Sequence, residues 1–278
     1  MSDVTSLEDL VLLVLVALAP ALTYLVWVRK GERGAAEAWG TLLGAFTYGA
    51  IFATIAAGIV EIVIVGLGTS VSQRYPAPEF VFLNGNSTAG AFFLVLVVAP
   101  FVEEALKASG VVARRTSLTR LADGPVVGAS VGLGFGFFET FLYGLGAFLV
   151  GGLAAGITLI VIRSLSSVLL HGSSTGMFGY GYARSKFGVP GAGSGSYYLL
   201  AVGMHVAFNA LASASILLAL VGVTGVAADV GAAIALVAAV AFAFTAIEHV
   251  RSVTQAADYP ALLRPPTTYA KRPPAEGP

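Results

Sequence analysis

Residues 89–113 read AGAFFLVLVVAPFVEEALKASGVVA. The run is long enough to cross a bilayer, which takes about 20 mostly apolar residues. Yet Glu103, Glu104 and Lys107 lie inside it. An ionisable side chain at mid-span costs on the order of 2.5–3.5 kcal/mol on insertion scales. A chain that accepts this cost repeatedly within one short run has a use for the groups.

The rest of the chain has the same character. Its 278 residues are 57% hydrophobic and 11% charged, with a mean hydropathy of +0.87. A soluble domain carries about 25% charged residues, so this chain cannot cover a soluble surface and reads as a polytopic membrane protein. The net charge of zero leaves no electrostatic footprint for nucleic acid. Cysteine is absent, so a metal site would need His and carboxylate ligands. The histidines are His171, His205 and His249. The N-terminal MSDVTSLEDL is acidic and lacks the basic region of a cleaved signal peptide. Leu10 to Val28 is therefore expected to be a retained first span.

Hydropathy predicts an all-α bundle of about seven transmembrane helices, near 8–28, 41–67, 89–112, 125–148, 154–182, 197–220 and 225–248. The fifth is long and is expected to tilt or break near Gly172. One membrane domain over 1–252 is expected, followed by a proline-rich, disordered tail over 253–278. Loop charges alternate. Arg29, Lys30, Arg33, Arg114, Arg115, Arg120, Arg184, Lys186, Arg251, Arg264, Lys271 and Arg272 fall on one side, against Arg74 on the other. The positive-inside rule then gives N-outside, C-inside. Asn86-Ser87-Thr88 is a glycosylation sequon on the outer side.

Other polar residues fall within the predicted spans. Glu61 and Asp229 lie towards the outer ends and are expected to reach the interface; Glu248 and His249 close the last span. The remainder crowd into four consecutive spans: Glu103, Glu104 and Lys107, then Glu139, then Arg163 and His171, then His205 and Asn209. Helical spacing puts Lys107 on one face with both glutamates, and Asn209 on one face with His205. Phe135, Glu139 and Tyr143 form another row. Gly124, Gly128, Gly132 and Gly136 recur every fourth residue, a stripe that admits a close neighbouring helix. Glu139 beside the stripe is expected to point into the bundle. Asp123 is expected to cap this helix, with Pro125 in its first turn.

Hydrolysis inside a membrane needs water in a polar cavity, a base and donors for the oxyanion. The buried carboxylates, histidines and amide could supply these. No nucleophile elbow and no HExxH motif is present, although a His/His/Glu metal site drawn from separate helices remains open.

The motifs EEALK (103–107), GFGFFETFLY (134–143), the histidine of RSLSSVLLHGSSTGMFGYGYA (163–183) and HVAFN (205–209) resemble the PrsW family of intramembrane proteases. That family is grouped here with the CAAX prenyl endopeptidase Rce1. The prenyl endopeptidases have a longer first motif ending in arginine, and a histidine where this chain has Glu139, so the likeness is closer to PrsW. The resemblance implies a multi-pass protease of a prokaryotic cell membrane. It would cut a membrane-anchored protein such as an anti-sigma factor. By position, Glu103 or Glu104 would be the base, Glu139 and His171 would assist, and His205 with Asn209 would bind the oxyanion. Lys107 and Arg163 would support them. A glutamate-activated water without metal is favoured; zinc is possible, and would then be held by Glu104, His171 and His205. The rivals are an ion-coupled transporter and a non-catalytic scaffold. No inverted repeat relates the halves, as many transporter folds would require.

Overall fold

The computed structural model describes residues 6–34 and 36–263, with side chains through Asp258. Among the described residues every regular element is helical. Helix α1 (Leu7–Arg29) begins at Ser6, whose Oγ accepts the Asp9 N–H at 3.1 Å. Helix α2 (Trp39–Thr47) runs through a π turn, Tyr48–Ala53, into α3 (Thr54–Arg74). Helix α4 (Thr88–Phe93) runs through a second π turn, Leu94–Val98, into α5 (Ala99–Ala113). Then follow α6 (Asp123–Ser164), α7 (Ser167–Lys186), α8 (Ser194–Ala212), α9 (Ala214–Leu220) and α10 (Val226–Leu263).

Five helical stretches are long and apolar enough to cross a membrane: Leu7–Arg29, Trp39–Arg74, Thr88–Ala113, Asp123–Lys186 and Val226–Asp258. Helices α8 and α9, bent by 67° at Ser213, make a sixth if the pair is one span. The stretch Asp123–Lys186 holds 64 residues. As a straight helix it would be roughly 96 Å long, about three hydrocarbon cores. It is not straight. Gly152 adopts φ 77°, and Gly144 packs against Ile160 and Gly156. Residues so far apart in sequence meet only if the chain reverses, so α6 is itself a hairpin turning at Gly152. The predicted break near Gly172 lies instead at Ser166 (φ −135°, ψ −78°), between α6 and α7. Gly172 is inside α7, where the Leu133 side chain occupies the space a Cβ would need. Helix α10 continues to Leu263, so residues 253–263 of the expected tail are helical; residues 264–278 lie outside the described residues.

The glycine stripe does what its spacing predicts. A Cβ at Gly128 would lie 2.3 Å from the Thr175 carbonyl oxygen, and one at Gly132 would lie 2.0 Å from that of His171. Only a hydrogen there lets the backbones of α6 and α7 touch. Helices α1, α2 and α10 wrap this pair, with Leu25, Leu42, Leu133, Leu170, Ile247 and Val250 in the core.

Polar contacts close one end of the bundle. Asp123 does not cap α6. Its Oδ2 accepts the N–H groups of Thr119 and Arg120 and the Thr119 hydroxyl, so it organises the preceding loop. Its Oδ1 accepts from Arg120, which also pairs with Glu32 at 3.0 Å and Asp258 at 2.9 Å. Asp258 in turn accepts the backbone N–H groups of Arg33 and Gly34. This clasp ties the α1–α2 loop, the α5–α6 loop and the end of α10 together.

Candidate active site

The site begins with a proline. Pro100 has no N–H, and the preceding π turn sends the Ala99 N–H to Leu94. The carbonyl of Val95, five residues before Pro100, therefore has no π-helical donor. Asn209 supplies one, its Nδ2 donating to Val95 O at 2.8 Å. This contact ties α8 to the start of α5. One amide N–H of Asn209 is thus spent on the backbone, leaving the other for a ligand.

Next come the acids of α5. Lys107 is wholly buried and donates to Glu104 Oε1 at 2.8 Å. The same oxygen accepts from Ser174 at 3.0 Å and from His205 Nδ1 at 3.0 Å. A carboxylate only accepts, so His205 carries its proton on Nδ1 and presents a lone pair at Nε2. The Lys107 ammonium also donates to His171 Nδ1 at 2.9 Å. His171 must then carry its proton on Nε2, which donates to Glu139 Oε2 at 2.9 Å. Glu139 is held from its other side by Arg163, which also donates to Ser167 at 3.0 Å and stacks over the Tyr143 ring. Phe135 lies under the Lys107 ammonium at 4.6 Å and beside the His171 ring at 5.0 Å.

Glu103 differs from its neighbour. Oε2 of each is buried without a hydrogen-bond partner among the described residues, but only Glu104 has its other oxygen filled, by Lys107, Ser174 and His205. Glu103 Oε2 lies 3.8 Å from Lys107 Nζ, 3.9 Å from His171 Nδ1 and 3.9 Å from His205 Nε2. Glu103, Glu139, Arg163, His171, His205 and Asn209 all line one cavity of about 470 Å³, which reaches Leu94 on α4–α5 and Ser213 at the α8–α9 bend.

The structure thus gathers all eight polar residues named from the sequence around one place. Six line the cavity, while Lys107 and Glu104 lie behind its wall. The sequence missed two contributors. Ser174 looked like one small residue among many. Glu61, expected at the interface, lines the cavity, with a buried Oε1 that has no hydrogen-bond partner among the described residues. It lies one helical turn from Ala57, which clusters with Phe135 in the fold, and no feature of the sequence signals that packing.

A metal fits by donor type. Ligand atoms of Glu103, His171 and His205 lie within 4.8 Å of one another, and two histidines with a glutamate are a known catalytic zinc set. This group differs by one residue from the expected Glu104, His171 and His205, because Glu104 Oε1 already serves Lys107, Ser174 and His205. The lone pair of His171 faces Lys107, so an ion there would require the ammonium to withdraw from Nδ1.

The family model for PrsW family intramembrane metalloproteases matches residues 37–247. Neither a curated protein nor a solved structure matches the chain.

Proposed function

The chain belongs to the PrsW family of intramembrane metalloproteases, and from that premise we propose that it hydrolyses a peptide bond of a membrane-anchored protein, with Glu103 activating the water. The observation that carries this reading is the partnerless Glu103 Oε2 on the cavity wall, 3.9 Å from both His171 Nδ1 and His205 Nε2. The cavity, lined by Glu103, His171, His205 and Asn209, is where water and a peptide carbonyl can meet.

Glu103 Oε2 and His205 Nε2 are both acceptors. A water between them donates one hydrogen to each and turns its lone pair towards the cavity. Its oxygen attacks the scissile carbonyl carbon while Glu103 takes the proton. The free N–H of Asn209 faces the oxyanion. Glu103 then returns the proton to the leaving nitrogen, and the C–N bond breaks. Glu104 acts through others: it fixes the tautomer of His205 and the position of Lys107. Glu139 and Arg163 fix the tautomer of His171.

A second reading rests on the Glu103, His171 and His205 group. Those three residues would hold a divalent ion, which when bound would polarise the water as a Lewis acid. The roles of Glu104, Glu139 and Arg163 in orienting the imidazoles are the same in either case.

We take the protein to have seven spans with its N-terminus outside. The Gly152 reversal splits Asp123–Lys186 into two crossings, and the bent α8–α9 pair makes one. The loop positive charges then fall inside. Reporter fusions after Ser70 and Ser117 should land on opposite sides. We take the location to be a prokaryotic plasma membrane and the substrate to be a single-span regulator of the anti-sigma type.

The test is purified protein in detergent with a panel of single-span substrates. The wild type should cleave at least one, and Glu103→Gln and Glu104→Ala should cleave none while inserting normally. Full activity in both variants rejects the assignment. Loss of activity to a chelator, with recovery on adding zinc, selects the second reading over the first.

A further inference from the structure

Each acid of the cavity region except one has a cation beside it. Glu104 and Glu103 share Lys107, at 2.8 and 3.8 Å, and Glu139 has Arg163. Glu61, on α3, has neither an ion pair nor a hydrogen bond to its Oε1 among the described residues, yet it lines the same cavity. A carboxylate without a partner at membrane depth is costly. The rest of the site shows how the protein meets that cost elsewhere, with a buried lysine and an arginine. Glu61 has no such partner among the described residues, and its carboxylate lies on the cavity wall.

We propose that Glu61 is a binding subsite for a cationic side chain, Lys or Arg, of the polypeptide substrate. This rests on the reading of the cavity as a protease site. Ala57 packs against Phe135, and Phe135 touches both Lys107 and His171. Glu61 lies one helical turn beyond Ala57, about 6 Å further along α3. An extended peptide advances about 3.3 Å per residue. Along α3 the subsite therefore lies about two extended peptide residues beyond the level of Ala57. On our orientation it lies on the outer side. The cavity wall also carries Ala57, Gly58 and Leu142, apolar surface on which an alkyl stem packs while its charged head meets the carboxylate. Such a subsite sets the register of an otherwise featureless apolar span, because only one residue of the substrate satisfies it.

The probe is a synthetic peptide of about 20 apolar residues carrying a single Lys, moved stepwise through its outer half, beside a norleucine peptide of equal length. Binding to wild-type, Glu61→Gln and Glu61→Lys protein in nanodiscs is measured by fluorescence before turnover, and cleavage is followed separately by mass spectrometry. A charge-assisted hydrogen bond predicts that wild type binds the Lys peptide about ten- to hundred-fold more tightly at one register. Glu61→Gln should bring the ratio to about one, and Glu61→Lys should reverse it. No Lys preference at any register, or a preference that survives in Glu61→Gln, overturns the proposal. So does a uniform loss of cleavage in Glu61→Gln without a change in the binding ratio, which would assign Glu61 to the newly formed ammonium instead. A binding preference without cleavage of any peptide keeps the subsite and counts against the protease reading. Melting curves of the variants exclude misfolding as the cause.

Discussion

Two clusters of charge sit in this bundle, and they are built oppositely. The Arg120 clasp has three carboxylates around one guanidinium, and all six of their oxygens accept a hydrogen bond. Asp123 and Asp258 take backbone N–H groups as well as Arg120, and Glu32 takes the Glu37 N–H. The cavity site has four acids, Glu61, Glu103, Glu104 and Glu139, but among the described residues Glu61 Oε1, Glu103 Oε2, Glu104 Oε2 and Arg163 Nε have no partner. Both clusters pay for burial. A saturated cluster returns that cost as structure, since removing any member strands the others. An unsaturated one beside a cavity keeps valences open for a ligand.

The contrast makes its strongest prediction in activity. Glu103→Gln should lower cleavage by about 100-fold or more, the scale of a general base, while its thermal midpoint stays at or above that of wild type. A large fall in the midpoint would show that Glu103 is a structural group like those of the clasp. Arg120→Ala should do the reverse. It leaves buried carboxylates uncompensated and should cost about 3–5 kcal/mol of stability, read by thermal unfolding in detergent. An unchanged midpoint would refute the clasp as a structural element. Gly132→Ala tests the backbone that supports the cavity. Its Cβ would press on the His171 carbonyl at 2.0 Å, so overpacking should cost about 1–3 kcal/mol and move His171. Gly146→Ala, where nothing lies within 4 Å, is the control.

The smallest effect is a pH dependence. Burial pushes the Glu32 carboxyl up to about 7, against the pull of Arg120, whose charge is shared with Asp123 and Asp258. A carboxyl raised in the folded state favours folding while protonated. That contribution is complete below its ordinary value, 4.5, and is lost as pH rises through about 7. The midpoint of the wild type should therefore fall more between about pH 5 and 8 than that of Glu32→Gln. Parallel profiles for the two proteins would remove Glu32 as the cause.

The sequence made the membrane bundle legible because apolar runs and loop charges are local properties. The same holds for the residues on one helix: Glu104 with Lys107 follows from three-residue spacing. Spacing also announced that this face of α6 meets a helix closely, since a glycine every fourth residue admits a backbone there, but not that the neighbour is α7. What spacing could not show was which oxygen of which glutamate is spoken for. Glu103 and Glu104 are adjacent and chemically identical, and only Ser174 and His205, brought from α7 and α8, distinguish them. Glu61 was misjudged for the same reason: distance from a span's end fixes its depth but not whether its face meets lipid or a cavity.

By itself, then, the chain determined that it lies in a membrane, which residues are too costly to be there without use, and which of them share a helix face. These follow from hydropathy and from the 3.6-residue period. Only the tertiary structure decided which valences are filled and which remain open, because a hydrogen-bond partner from another helix has no signature in the spacing of the first.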